Sequence, residues 1–313
     1  MENYLLAIGV SAGIYALMAL GLNVIWGMAG LVNLGLVGFF AVGAYVSALL
    51  TTVYGIPIWM GVLAGTAAGG LTGVAVALIT ARLRGDYLAI VTLGFAEAIR
   101  MVADNEVWLT HGSDGISGIP GPFRSALTST QFNLLFLAIV AALVTLVFVL
   151  FERLSYSPFG RVLRAIRDDE QVAAVAGKWV IIYKVKAFAL GCAVLGMAGA
   201  LYAHYTSFIA PDIFVPLLTL YIKLSLLAGG VGNNRGAIAG AVLVVSFLEG
   251  TRFIIPWVPG LSAVQGAALR EMLISGFLLV LLRFRTQGLL PEAPSHLLRW
   301  DGPIPLQKEP TRA

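Results

Sequence analysis

Along this chain, long apolar runs alternate with short polar or charged stretches. A run of about 20 apolar residues is what an α-helix needs to cross a hydrocarbon core about 30 Å thick. Runs of that kind fall near 4–26, 33–53, 57–80, 86–105, 131–151, 184–206, 213–232, 236–256 and 265–283. The second opens on Gly27, Gly30, Gly35, Gly38 and Gly43. That density of glycine predicts a broken or re-entrant helix, which is tolerated at membrane depth where protein covers the irregular backbone. The pattern predicts an all-α polytopic membrane protein with about eight to nine transmembrane helices, the Gly-rich segment included.

Composition agrees. Of 313 residues, 59% are hydrophobic and 12% charged, about half the charged share of a soluble domain. One soluble core cannot hide so much apolar surface, which argues against a soluble enzyme, a disordered chain or a secreted disulfide scaffold. Cys192 is the single cysteine and has no intrachain partner; His111, His204 and His296 are scattered without metal-ligand spacing. There is no long Lys/Arg run, so no nucleic-acid partner is expected. The start, Met1-Glu2-Asn3-Tyr4, lacks the basic region of a cleaved signal, and the first apolar run is expected to be retained.

The net charge of +4 is concentrated in connections. The 152–186 stretch holds Arg153, Arg161, Arg164, Arg167, Lys178, Lys184 and Lys186, the 81–86 connection Arg82 and Arg84, and the tail Arg283, Arg285, Arg299, Lys308 and Arg312. The 104–130 loop instead sets Asp104, Glu106 and Asp114 against Arg124. Placing the basic loops in the cytoplasm makes the later spans alternate correctly and puts the C-terminus there too. Nine spans then leave the N-terminus outside, and eight leave it inside. The expected layout is a transmembrane domain over 1–283, a cytosolic segment over 152–183 within it, and a flexible, proline-rich cytosolic tail over 284–313.

Gly61, Gly65, Gly69 and Gly73 recur every fourth residue, and Gly236 and Gly240 repeat the spacing. Such a stripe lets two helix backbones approach closely, either as plain packing or as a sliding interface. Asn23, Asn33, Thr92, Glu97, Arg100, Lys223, Glu249 and Arg252 interrupt apolar runs. Ionisable groups at membrane depth usually face the protein interior or a cavity. Glu97 and Arg100 can pair on one helix, or meet a zwitterionic solute. Lys223 faces a cavity or snorkels to an interface. Asn23 and Asn33 flank the glycine-rich break, where they bond between helices or line a path. Glu249 and Arg252 read as interfacial anchors.

Within 152–183, Ser157 can cap a helix and Pro158 fits its first turn. Val162, Ile166 and Ala173 form an apolar strip, Arg164 and Asp168 can pair at i,i+4, and Gly177 is a stop. This predicts one amphipathic helix over 158–177, lying on its own protein or docking into a groove on a cytosolic partner.

The chain also resembles a known family. Leu83-Arg84-Gly85-Asp86-Tyr87-Leu88-Ala89-Ile90-Val91-Thr92-Leu93-Gly94-Phe95, followed by Glu97 and Arg100, is similar to the LivM-like branch of the permease subunits of branched-chain amino acid ABC importers. The Gly160-to-Glu170 segment, Ala198-Gly199-Ala200-Leu201-Tyr202-Ala203, Gln287-Gly288-Leu289 and the stretch from Gly27 to Tyr45 fit as well. Three features depart from the family pattern: Lys178-Trp179-Val180 after Gly177, Asn233-Asn234-Arg235 in the Gly-rich turn from Gly229, and Lys223.

The resemblance implies a non-catalytic permease subunit in a bacterial inner membrane. Its partners would be a second related permease, two cytosolic ATPases, a periplasmic substrate-binding protein and the lipid bilayer. ATP and Mg would belong to the ATPases and no cofactor to this chain. Consistently, it has no G-x-x-x-x-G-K-[ST] loop, and Gly230-Val231-Gly232 with Gly236 misses the dinucleotide fingerprint by one residue. Gly160, Arg161, Arg164, Arg167, Asp168, Asp169 and Glu170 are the ATPase-coupling candidates. Asn23, Gly27, Gly30, Asn33, Thr92, Glu97 and Lys223 are the translocation-path candidates. The expected function is alternating-access import of branched-chain amino acids or a related small polar solute. The rival reading is a secondary transporter or channel needing no ATPase.

Overall fold

The computed structural model describes residues 2–80, 83, 85–124, 126–254, 263–284 and 288–292. They are almost wholly helical. The long helices are α1 (Glu2–Leu22), α2 (Leu36–Thr52), α3 (Ile58–Thr80), α4 (Asp86–Asn105), α6 (Ser129–Tyr156), α9 (Val180–Thr206), α10 (Pro216–Gly229), α11 (Asn234–Ile254) and α12 (Ala263–Phe284). Each covers one of the nine apolar runs. Short helices α5 (Val107–Thr110), α7 (Pro158–Asp168) and α8 (Glu170–Val175) lie between them. Among the described residues, five helical stretches are long and apolar enough to cross a membrane, and Leu36–Thr52 is a shorter apolar helix. The chain is a multi-pass helical membrane protein.

The α1 helix does not stop at Leu22 but widens into a π-helix over Asn23–Met28, and residues 29–35 are non-helical before α2 begins. The glycine-rich break is therefore real and sits between two helical halves. Gly30 has φ +70°, a left-handed conformation that favours glycine. At Gly35 a Cβ would collide with the Thr92 carbonyl of α4.

The core is organised around α1 and α9. The α1 helix packs on α6, α9, α10 and α11, and α9 packs most extensively on α3 and α2. Glycine builds this second seam. A Cβ on Gly65 would lie 2.6 Å from the Gly43 carbonyl oxygen, and one on Gly69 2.6 Å from that of Cys192. The four-residue stripe is thus a close-packed face. Gly236 and Gly240 serve α10 in the same way, Gly240 against the Ser225 carbonyl. Cys192 is fully buried.

At the end of the bundle away from α7 and α8, Ile116–Ser117 pairs antiparallel with Phe208–Ile209, Ile116 opposite Ile209. His204, 1% exposed, ties this end together. Its Nε2 lies 2.9 Å from Ser47 Oγ and its Nδ1 2.8 Å from the Pro120 carbonyl oxygen. Neither Ser47 nor this role of the histidine is evident from the apolar pattern.

Several expectations are corrected. The 158–177 segment is two helices. Asp169 leaves helical geometry (φ −153°, ψ 110°), and its carboxylate accepts from the Gln171 and Val172 amides, capping α8. Arg164 does not pair with Asp168 but donates to the Ser155 hydroxyl and carbonyl at 3.1 and 2.9 Å. The tail is not free throughout. The Leu289 and Leu290 amides donate to the Ala228 and Gly229 carbonyls, both at 2.9 Å. Arg82, Arg84, Arg285, Gln287, Arg299, Lys308, Arg312, His296, the Arg252 side chain and the remainder of the tail lie outside the described residues.

Candidate functional site

Two regions carry the candidate residues, and one side chain joins them. The first is the α7–α8 pair. Ser157 Oγ accepts from the Gly160 amide at 3.4 Å, and Pro158 occupies the first turn of α7. Gly160 must be glycine for packing, because a Cβ there would sit 2.5 Å from the Leu154 and Ser155 carbonyl oxygens. Leu163 and Ile166 point inward and are buried. Arg161 is exposed and lines a groove of about 550 Å³ between the two helices with Val162, Ala165, Asp169, Val172 and Lys178. Beside it, Val172, Val175 and Trp179 are 65%, 90% and 76% exposed. Val172 and Val175 on α8 and Trp179 just before α9 thus form an exposed apolar patch. Glu170 turns the other way and accepts from Lys184 Nζ at 2.6 Å, pinning α8 to the start of α9.

The second region is the break. Asn23, fully buried, donates from Nδ2 to Asn234 Oδ1 at 2.9 Å and accepts from the Gly232 amide at 2.9 Å. Asn234 Nδ2 in turn donates to Glu152 at 3.0 Å. The Asn-Asn-Arg turn that departs from the family pattern is therefore a polar buckle on the π-helix. Gly27 packs against it, with the Gly232 amide 2.7 Å from where a Cβ would stand. Thr92 Oγ1 accepts from the Leu34 amide at 3.1 Å, and Asn33 Oδ1 from the Gly35 amide at 2.8 Å. The Lys223 ammonium lies over the Trp26 ring, 5.0 Å from its centroid, within cation–π reach. Glu97 stands apart from the break. It pairs with Arg100 on α4, accepting from Nε at 3.0 Å, with both side chains about a third exposed.

Arg167 joins the two regions. From the C-terminal end of α7 it donates to the Gly27 carbonyl of the π-helix. The same guanidinium is 3.0 Å from Glu292 of the tail and 3.5 Å from Asp168. Gly30 fits against it, since a Cβ there would meet Arg167 Cγ at 2.9 Å. Arg167, Gly27 and Gly30 were candidates from sequence. Glu292, Glu152 and Thr219, whose Oγ1 accepts from the Val37 amide at 3.3 Å, were not. Among the described residues no group of His, Cys, Asp or Glu could hold a metal ion.

Arg167 thus links the break to the α7–α8 pair. The model for the permease component of the branched-chain amino acid transport system matches residues 4–282. The chain belongs to that permease family. It is 34% identical over 304 residues to the high-affinity branched-chain amino acid permease protein LivM of Salmonella typhimurium, covering 89% of this chain and 68% of that protein. It is 25% identical to LivH of the same organism, over 75% of this chain and 81% of that one. It is 27% identical to the nucleoside ABC transporter permease protein NupC of Lactococcus lactis subsp. cremoris, over 84% and 86%. No solved structure matches the permease significantly.

Proposed function

We propose that this permease is one of two related membrane subunits of an ATP-driven importer. It moves branched-chain amino acids or a related small polar solute across the bacterial inner membrane by alternating access. The α7–α8 pair and the tail face the cytosol, where two ATPases bind ATP and Mg, and a periplasmic binding protein delivers the solute from the other side. The observation that carries this reading is Arg167, which fastens α7 to the backbone of the π-helix at Gly27. A load applied to the exposed α7–α8 face by an ATPase reaches the break through that side chain. Charge-assisted bonds of this kind are short and directional, and suit transmission better than a solvated rim pair.

In this scheme the exposed Val172, Val175 and Trp179 and the groove beside Arg161 are the docking face. Asp169 and Glu170 keep α8 folded and attached to α9, so that the face moves as a unit. The test is Arg167→Ala in the assembled importer in proteoliposomes. The expected result is persistent ATP hydrolysis with solute uptake reduced at least tenfold. Unchanged uptake would overturn the coupling assignment. Uptake by the chain alone, without ATP, would establish the secondary-transporter reading instead.

A further inference from the structure

We propose that residues 288–292 form a strap that brakes the importer. Glu292 ties α7, through Arg167, to the turn between α10 and α11, and this tie has to open before α7 can move the break. The brake rests on the importer reading above and on Arg167 as its coupling side chain.

The strap is seated chiefly by its main chain. The last carbonyls of a helix have no partner within it. At the end of α10, those of Ala228 and Gly229 accept from the Leu289 and Leu290 amides, both at 2.9 Å. From the turn, Asn233 Nδ2 donates to the Leu290 and Pro291 carbonyls at 3.2 and 3.0 Å. The fit is close. A Cβ on Gly288 would lie 2.6 Å from the Gly230 nitrogen, and one on Gly232 would lie 2.7 Å from Glu292 Oε2.

This seat delivers one charge to α7. Glu292 Oε2 lies 3.0 Å from Arg167 Nη1, the nitrogen that also donates to the Gly27 carbonyl. Each terminal guanidinium nitrogen carries two N–H groups, so one serves each acceptor. Asp168 is the second carboxylate at this guanidinium, 3.5 Å from Nε. Its side chain is 70% exposed, against 29% for Glu292. Water screens the more exposed pair more strongly, so Glu292 is the carboxylate that holds Arg167.

Together the contacts close a ring. The π-helix bonds to the α10–α11 turn through Asn23 and the Gly232 amide. The turn holds the strap and the strap holds Arg167 of α7. Arg167 returns to the π-helix at Gly27, four residues from Asn23. While the ring is closed, α7 cannot be displaced from the turn. Between those two, the link that opens at least cost is the single, part-exposed ion pair, because the hydrogen bonds that seat the strap have to break together. Within the ring, the Arg167–Gly27 contact carries the stroke and the Arg167–Glu292 contact resists it.

The experiment measures ATP hydrolysis by the full importer in proteoliposomes, without binding protein and with binding protein loaded with L-leucine. Glu292→Gln keeps the shape of the side chain and removes its charge. It should raise hydrolysis without binding protein about two- to fivefold, the range open to a part-exposed ion pair, and leave the stimulated rate at that of the wild type. Raising salt from about 0.1 M to about 1 M shortens the Debye length from about 10 Å to about 3 Å and should narrow the difference between variant and wild type. A chain ended at Gln287, which lacks the strap, should show the same rise. An unstimulated rate equal to the wild type in either assembled variant would overturn the brake and leave the importer standing. A difference that salt does not narrow, or failure of both variants to assemble, would make the strap a structural part only and also overturn it. A wild-type assembly that hydrolyses no ATP, or that moves L-leucine without ATP, would overturn the importer reading itself.

Discussion

Replacing Gly65 by alanine adds one carbon where three helices meet backbone to backbone. That carbon would lie 2.6 Å from the Gly43 carbonyl oxygen, 3.3 Å from its carbon and 3.1 Å from Ala200 Cβ. The first separation is about 0.8 Å short of the 3.4 Å at which ordinary van der Waals contact begins. The obstructing atoms are main chain, so no rotamer change relieves them, and α3 must shift away from α2. Overpacking of this kind costs about 1–3 kcal/mol, which is roughly a 5- to 150-fold loss in the folded population. Gly65→Leu, with three further carbons, is expected to prevent assembly of the bundle. The control is Gly94→Ala, where nothing lies within 4 Å of the new carbon. There the helix gains about 1 kcal/mol from the better helix former. Thermal unfolding of the detergent-purified protein, followed by size-exclusion chromatography, reads both. A Gly65→Ala protein that melts with the wild type would refute the backbone-contact argument.

Two further outcomes follow from the α7–α8 end. Asp169→Ala removes the oxygen that accepts from the Gln171 and Val172 amides. It is expected to destabilise α8 by about 0.5–2 kcal/mol, seen as faster amide exchange confined to 170–176 with membrane insertion unchanged. Glu292→Ala removes the carboxylate beside Arg167 and should speed exchange at the Leu289 and Leu290 amides, while those of α1 stay protected. Equal exchange at Leu289 in both proteins would show that the backbone bonds alone hold the tail.

What the sequence made legible was what one period or one residue type controls. All nine apolar runs are helices, because hydropathy over twenty residues is set by burial in lipid or protein. The glycines from Gly27 to Gly35 announced an interruption, since few other residues tolerate such approaches to neighbouring backbone. The π-helix was not legible. Asn23–Met28 reads as ordinary helix, and its widening is tied to the buckle with Gly232 and Asn234, some 210 residues away in sequence. The stop at Asp169 was hidden because the apolar strip of Val162, Ile166 and Ala173 continues across it, although an Asp before Glu170-Gln171-Val172 is itself a cap signal. The tail misled through composition. Its prolines suggested a free chain, whereas five of its residues lie along the turn after α10. At the break, Asn33 and Lys223 stood out as polar groups in apolar runs. Thr219 did not, because a lone threonine in a helix usually bonds to its own backbone.

The glycine seam has a mechanical meaning as well. Where side chains interdigitate, helices can slide by changing rotamers. Where carbonyl oxygens rest directly on Cα atoms there is no such cushion, and close-packed matter of that kind transmits force without yielding. Gly43, Gly65, Gly69 and Gly196 put α2, α3 and α9 in that condition. The three helices therefore travel as a single stiff beam. Bending is left to connections of the unit with its neighbours, such as the non-helical residues 29–35 before α2 and residues 176–179 before α9.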